Sequence, residues 1–177
     1  GECATEAVPL DWDDPAGREV EIVLRKVLAR SGAPKLQVWL LSGGPGESGK
    51  VIEDYVFRLR ELDRDLEILV PSFRGTEGRT LFDCESLHRF SGWVEADDAA
   101  NAAACSRMLA SEWGHGMRLF STTSDARDVA ALAHRARVAG VPVFAYGVGY
   151  GGVRAQRLLQ IAPDAWSGII LDSVMDS

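Results

Sequence analysis

Apolar residues along this chain fall into short continuous runs and into segments with the spacing of a helix face. Three continuous runs, at Leu36–Leu41, 66–70 and 141–146, predict buried strands. After the first and the third of these runs, apolar positions recur every three or four residues, as they do on one side of a helix. The repeated order of strand, loop and helix predicts a parallel sheet.

The start of the chain has a different pattern. Residues 5–12 predict a short edge strand, and residues 19–29 alternate apolar and charged positions, which is typical of a half-exposed antiparallel strand. Helical spacing predicts further helices over residues 97–113 and 121–138, and residues 168–171 predict a last strand. The predicted fold class is therefore α/β, with an antiparallel start followed by a parallel sheet that is flanked by helices.

Two glycine-rich turns follow predicted strands and are the candidates for chemistry. The later turn, Gly147-Val148-Gly149-Tyr150-Gly151, has the pattern of a nucleophile elbow, G-x-S-x-G, in which a tight strand-to-helix turn presents a serine above the sheet. The tip of this turn is Gly149, which has no hydroxyl group to attack a substrate. The turn therefore predicts the geometry of a hydrolase without its nucleophile.

The later turn also fits a dinucleotide-binding motif. Gly147, Gly149 and Gly152 spell the fingerprint G-x-G-x-x-G, and Asp172 ends the strand that follows. In a dinucleotide-binding fold this unit usually comes first, whereas here it comes after four other predicted strands. An enzyme that binds NAD or FAD stays open as an alternative.

The earlier turn, SGGPGESGK at residues 42–50, is close to a phosphate-binding loop of the form G-x-x-x-x-G-K. Val51 stands where that motif has serine or threonine, and valine has no hydroxyl group to bind Mg²⁺. Nucleotide hydrolysis is therefore disfavoured.

Composition narrows the possible partners. With 177 residues, of which 46% are hydrophobic, the chain is long enough for one domain with a core, and we expect residues 1–177 to belong to one domain. A net charge of −7 and an isoelectric point near 5.0 argue against nucleic acid or an anionic membrane as the main partner. No apolar segment is long enough to cross a bilayer.

The cysteines and histidines do not form a metal-binding motif. No C-x-x-C pair exists, and His88, His115 and His134 have no ligand spacing to the cysteines. We therefore expect no metal. The three cysteines fit either buried thiols or, in a secreted protein, a disulfide between Cys84 and Cys105.

Three loops and a cysteine occur in the order found in α/β-hydrolases. GGPGESG follows the third predicted strand, FRGTEGRT follows the fourth with Cys84 just beyond it, and YGVGYGG follows the fifth. More narrowly, the chain resembles the secreted tripeptidyl aminopeptidase and prolyl aminopeptidase families over nearly its full length, from Cys3 to Val174. The resemblance implies the N-terminal part of an α/β-hydrolase domain, ending about where these families insert a helical cap.

The resemblance also implies roles for three residues. In those families the glycine-rich loop supplies one amide of the oxyanion hole, here Gly44, and the residue after the nucleophile supplies the other, here Tyr150. The nucleophile position falls on Gly149. The activity implied is that of a serine exopeptidase, which releases short peptides or proline-type residues from the free N-termini of peptide substrates through an acyl-enzyme, without metal or organic cofactor.

Because members of these families are exported, the resemblance implies a secreted or cell-surface protein. It makes the Cys84–Cys105 disulfide plausible, and Cys3 would then pair outside this stretch.

The chain departs from these families in three places. Gly149 replaces their serine, so it is either a knockout made to trap a substrate or a natural residue of a homologue that binds without cutting. An extra Glu77 stands before Gly78 in the loop after the fourth strand. All three histidines precede the elbow, although the acid and the histidine of a triad should follow it.

These departures leave the catalytic set incomplete. We expect the cap, the acid and the histidine on a second polypeptide or on a missing part of the hydrolase. A catalytically silent binding protein with a hydrolase fold is the alternative.

Overall fold

The computed structural model of the protein describes residues 1–44, 46–82 and 96–174, and only the backbone of residues 96–101. Its strands are β1 Glu2–Pro9, β2 Glu19–Val27, β3 Leu36–Leu41, β4 Leu66–Pro71, β5 Val143–Val148 and β6 Gly168–Asp172. They form one six-stranded sheet in the order β1-β2-β4-β3-β5-β6.

The sheet is mixed in the way that the hydrophobic pattern predicted. β2 pairs antiparallel with both β1 and β4, whereas β3 pairs parallel with β4 and β5, and β5 pairs parallel with β6. The antiparallel start followed by a parallel sheet confirms the predicted fold class. Because the parallel strands all run the same way, the loops that follow β3, β4, β5 and β6 meet at one edge of the sheet.

Helices cover both faces of the sheet. They are α1 Glu53–Leu62, α2 Ala96–Trp113, α3 Thr122–Ala136 and α4 Tyr150–Ile161, with short 3₁₀ helices at Gly49–Ile52, Gly78–Thr80, Gly114–Leu119 and Pro163–Ala165. The cluster of hydroxyl residues before α3 caps it, because the Ser121 Oγ accepts a hydrogen bond from the Ser124 N–H at 3.2 Å.

Element boundaries differ most from the pattern at the glycines. β5 continues through Gly147, which pairs with both Leu41 and Leu171, and α4 begins at Tyr150, before the apolar spacing starts. Glycine has no side chain to show an apolar or polar face, so neither the end of the strand nor the first turn of the helix is visible in the pattern. At the other end of the chain, β1 stops at Pro9, because the next residue turns towards β2.

The core has two parts, one on each face of the sheet. Trp39 and Leu41 of β3 point to the larger part, where they pack with Leu132 of α3 and Leu158 of α4. Leu40, between them in β3, points to the smaller part on the α1 face. The central strand is therefore buried on both faces, as its continuous apolar run predicted.

The predicted disulfide is not tested, because Cys84 lies outside the described residues. Cys105 is buried on α2, and Cys3 is an exposed free cysteine among the residues described. None of the described helices combines the length and the apolar character needed to cross a membrane. In the same part of the chain, His, Cys, Asp and Glu side chains form no cluster that could hold a metal ion.

Candidate active site

The turn between β5 and α4 is a strained elbow. Gly149 has a φ of 56° and a ψ of −120°, a backbone conformation that residues with a side chain adopt only under strain. Its N–H donates to the carbonyl of Asp172 at 2.9 Å, and its own carbonyl accepts from the N–H of Gly152 at 2.9 Å. The strand, tight turn and helix are those that the sequence predicted.

The glycines on either side of the tip are required by close packing. A β-carbon on Gly151 would lie 2.0 Å from the carbonyl oxygen of Leu41, and one on Gly147 would lie 2.2 Å from the carbonyl oxygen of Gly151. A β-carbon on Gly149, in contrast, would meet no atom of the described residues within 4 Å. The flanks of the turn are therefore closed and its tip is open, which is the arrangement needed to present a reactive side chain.

The glycine-rich loop after β3 lies directly against the elbow. A β-carbon on Gly43 would lie 3.0 Å from the carbonyl oxygen of Val148 and 3.5 Å from the backbone nitrogen of Tyr150. The structure thus places Gly44, Gly149 and Tyr150, the three predicted site residues, in two segments that touch. The N-terminus of α4 lies at the same place, and the dipole of the helix favours negative charge there.

A buried arginine of α4, the helix that follows the elbow, connects the glycine-rich loop to α3. Arg154 donates to the Asp125 carboxylate from Nε at 2.8 Å and from Nη2 at 3.0 Å, and its Nη1 donates to the carbonyl of Ser42 at 3.3 Å. Both charged side chains are buried. Burial raises the pKa of Asp125, and the charge of Arg154 opposes that rise.

A second buried ion pair holds the loop after β4. Arg74 donates to Asp128 from Nε at 2.8 Å and from Nη2 at 2.6 Å, and its remaining donors reach the carbonyls of Pro9, Leu10 and Leu119. Burial raises the pKa of Asp128 to about 6, against the hydrogen bonds from Arg74. The loop is thereby tied both to the end of β1 and to α3.

Glu77, the extra residue relative to the resembled families, connects this second loop to the glycine-rich loop. Its Oε1 accepts from the Ser48 hydroxyl at 2.7 Å and from the Gly49 N–H at 2.9 Å, and its carboxylate pairs with Arg25 of β2. Desolvation acts to raise the pKa of Glu77, but the hydrogen bonds from Arg25, Ser48 and Gly49 outweigh it and hold the pKa below its ordinary value.

Two side-chain hydrogen bonds surround the elbow itself. The Tyr150 hydroxyl bonds the hydroxyl of Thr122, the first residue of α3. The Tyr146 hydroxyl donates to the Asp172 carboxylate at 3.0 Å, and desolvation together with that carboxylate raises the pKa of Tyr146. The side chain of Tyr150 is thus directed to α3, which leaves its backbone N–H as its predicted contribution to the site.

The described histidines make no hydrogen bond to the elbow. His134 lies on α3 and His115 in the 3₁₀ helix that follows α2, and both are exposed. His88 lies outside the described residues. Within the part of the chain that is described, no histidine is therefore hydrogen-bonded to the elbow.

The contacts of Gly49 argue against the phosphate-loop motif. Its N–H donates to the Glu77 carboxylate, so this N–H group is not available to donate to a phosphate. The order of the strands argues against the dinucleotide-binding motif. The motif follows β5, the fifth strand in the chain, whereas the fingerprint follows the first strand of a dinucleotide-binding sheet.

Sequence reasoning missed the charged residues that fix the loops. Asp125 and Asp128 lie on the core side of α3, next to the buried residues Ala126 and Val129. Carboxylates at helical spacing among core positions are a signal for buried partners, because a buried charge is costly unless it is paired. The sequence alone did not show which arginines those partners are.

No protein-family model matches this chain, and no curated protein is significantly similar to it. Solved structures do match. A carboxyl esterase from Bacillus coagulans, in complex with glycerol, aligns over 97% of this chain and 44% of its own, with 14% identity and a TM-score of 0.57.

Two further structures match over similar lengths. An α/β hydrolase from Novosphingobium aromaticivorans aligns over 97% of this chain and 44% of its own, with 17% identity and a TM-score of 0.52. An epoxide hydrolase from Vigna radiata aligns over 99% of this chain and 41% of its own, with 15% identity and a TM-score of 0.53. The chain thus spans less than half the length of these structures. The described strands and helices form a partial α/β-hydrolase fold.

Proposed function

We propose that this chain is part of a serine exopeptidase of the α/β-hydrolase type, in which Gly149 occupies the position of the nucleophile. The observation that supports the proposal most is the elbow. Its flanking glycines are packed against backbone, while a β-carbon at Gly149 would point into space that is free of other atoms to 4 Å. A serine at this position would present its hydroxyl at the C-terminal edge of the parallel strands, where the loops of the fold meet.

The reaction proposed is acyl transfer. The general base would take the hydroxyl proton of a serine at position 149 while its Oγ attacks the carbonyl carbon of a peptide bond. The C–N bond would then break, and the amine would leave with that proton. Water would hydrolyse the resulting ester and free the serine. The amides of Gly44 and Tyr150 would donate to the oxyanion that forms, and the N-terminus of α4 would favour the same negative charge. With Gly149 in place no ester can form, so the chain as it stands would hold a peptide without cutting it.

The remaining parts of the machinery are proposed to lie outside this chain. The described histidines are exposed and make no hydrogen bond to the elbow, and the chain spans only 44% of the matched esterase. We place the cap, the acid and the catalytic histidine on further residues or on a second polypeptide. From the resemblance to exported aminopeptidases, the proposed location is secreted or at the cell surface, and the proposed substrates are peptides with free N-termini.

The test is restoration of the nucleophile in the full-length protein. Gly149→Ser should hydrolyse tripeptide or proline anilides that have free N-termini, and it should leave their acetylated forms intact. Gly149→Ala is the matched control, because it has the same backbone strain and a β-carbon but no hydroxyl group. Equal turnover by both variants would place the nucleophile elsewhere. A folded Gly149→Ser protein without turnover would withdraw the peptidase proposal.

A binding protein that never cuts is the second candidate, and the backbone of Gly149 favours it. Its positive φ costs glycine nothing but would strain a serine by about 1–3 kcal/mol. A homologue released from catalysis would be expected to lose that strain by adopting glycine. This candidate predicts that the native protein binds peptides and that Gly149→Ser binds them equally without turnover.

A further inference from the structure

A cleft of about 480 Å³ opens between the two loops that follow β3 and β4. The glycine-rich loop borders it with Gly46 and Ser48, and the second loop borders it with Phe73 and Thr76. This volume falls within the range of about 300–1,000 Å³ that is usual for small-molecule sites. Because the cleft lies between the glycine-rich loop, which is predicted to supply an oxyanion-hole amide, and the loop after β4, it is a candidate binding site for part of a substrate.

Aromatic rings form the far wall of this cleft. Phe82 and Phe120 pack with their ring centroids 4.3 Å apart, and the ring centroid of Trp113 lies 4.8 Å from that of Phe120. Gly75 makes room for them, because a β-carbon there would lie 3.1 Å from an atom of each phenylalanine ring. The wall is therefore apolar and held in place by ring-to-ring packing.

The polar groups that line the cleft already hydrogen-bond to other groups of the protein. The Ser48 hydroxyl donates to Glu77, and the Thr76 hydroxyl donates to the Phe73 carbonyl at 2.7 Å. The guanidinium of Arg74 is fully buried, with Asp128 and backbone carbonyls as its partners. Among the described residues that line the cleft, no charged group is left to pair with a charged ligand, so an ionic side chain would lose its hydration without compensation.

The cleft is joined to the elbow through two contacts. Phe120 lies two residues before Thr122, whose hydroxyl bonds Tyr150, the residue after the tip. The ring of Phe73 lies 5.4 Å from the guanidinium of Arg154, on the elbow helix α4. A peptide whose carbonyl reached the elbow could therefore place a neighbouring side chain between the two loops.

We propose that this cleft binds an uncharged, apolar side chain of the peptide substrate, of the size of leucine or phenylalanine. The assignment rests on the proposed peptide-binding function of the elbow, which it extends by naming a specificity subsite. Selection comes from the phenylalanine wall and from the absence of an available charge among the lining groups described.

The test uses the native protein with Gly149, because binding without turnover can then be measured directly. Trialanine amide is compared with variants that carry one phenylalanine, leucine or aspartate, placed in turn at each position, and binding is followed by NMR titration. We expect the phenylalanine or leucine peptide to bind at least about tenfold more tightly than trialanine amide in one position. The aspartate peptide should bind no more tightly than trialanine amide.

Leu81→Asp is the variant that addresses the site, since Leu81 lines the cleft and its side chain is 43% exposed. It should remove the preference for the apolar peptide, because it adds a charge to the apolar surface. Leu28→Asp is the matched control, because Leu28 is also 43% exposed but does not line the cleft, and it should keep the preference. Shifts of the Trp113 indole signal on binding would locate the peptide beside the aromatic wall.

Three results would overturn the subsite: equal binding of all the peptides, an unchanged preference in Leu81→Asp, or no binding by the native protein. These results are separate from failure of the peptidase proposal. Apolar peptides that bind in the cleft while Gly149→Ser gives no turnover would support the subsite and contradict the peptidase. Turnover by Gly149→Ser at the same rate for peptides with different side chains would support the peptidase and contradict the subsite.

Discussion

The two loops that meet at the candidate site are held by different forces. The elbow is held by contacts between backbone groups, since Gly147 and Gly151 pack against carbonyl groups at distances that no side chain would allow. The glycine-rich loop is held by charged side chains from distant parts of the chain, through Arg154 at its start and Glu77 at its end. One half of the proposed oxyanion hole is therefore fixed by sterics and the other by electrostatics.

Because of this difference, the elbow and the glycine-rich loop respond to different substitutions. The conformation of the elbow depends on a few consecutive residues, so it can persist when the reactive residue at its tip is replaced by glycine. The position of the glycine-rich loop depends on partners in β2, α3 and α4, so a substitution far from the site can move it. Substitutions in the two sets should thus have different signatures, which the following experiments compare.

Loss of Arg154 is expected to have the largest effect. Arg154→Met removes the partner of the buried Asp125 and the donor to the Ser42 carbonyl, which should cost about 3–5 kcal/mol of the free energy of unfolding. Urea denaturation measures the change. Arg127→Met is the control, because its ion pair with Asp13 is exposed and should contribute little. Equal stability of Arg154→Met and the native protein would show that the charge does not hold the loop.

A steric test of the elbow comes next in size. Gly151→Ala would place a β-carbon 2.0 Å from the Leu41 carbonyl oxygen, so β3 and α4 must separate, at a cost of about 3 kcal/mol. Thermal unfolding of the purified variant measures this. Gly152→Ala is the adjacent control, because its β-carbon would meet only Leu171, at 3.8 Å, and alanine favours the helix. A Gly151→Ala protein as stable as Gly152→Ala would contradict the packing described.

The same difference explains which features could be predicted from the sequence. The elbow was predicted because its requirement is local: Gly147, Gly149 and Gly151 follow a strand at the spacing that the turn demands. Continuous apolar runs likewise predicted the central strands, because both faces of β3 are covered. These features need no knowledge of what lies across the molecule.

The anchors of the glycine-rich loop could not be predicted in this way. Glu77 was noticed only as an extra residue, since its partners Arg25 and Ser48 are distant in sequence and nothing local links them. The aromatic wall is another example, because Phe82 and Phe120 are brought together only by the fold. Contacts between distant residues carry no periodic signal along the chain.

The strain at the tip is expected to be smaller than the packing cost at its flanks. Gly149→Ala should lower the free energy of unfolding by about 1–3 kcal/mol, because alanine is strained at a φ of 56° although its methyl group has room. Differential scanning calorimetry of the two proteins gives the difference. Gly32→Ala, which also has a positive φ and open surroundings, should cost a similar amount. A much larger loss at Gly149 alone would mean that the tip is crowded.

The smallest expected effect is present at neutral pH and disappears in acid, because it comes from an ionised carboxylate. The pKa of Glu77 is lowered in the folded protein, so its contribution to stability is complete above the unfolded pKa, near 4.5, and is lost as the pH falls through the lower folded pKa. Glu77→Gln should therefore reduce stability at neutral pH by about 1 kcal/mol, and the difference from the native protein should shrink below pH 4.5. Urea titrations at several pH values measure this difference. Glu47→Gln, at an exposed position of the glycine-rich loop, is the control and should leave the free energy of unfolding nearly unchanged. A constant difference between Glu77→Gln and the native protein across this pH range would mean that the ionised carboxylate does not hold the loop.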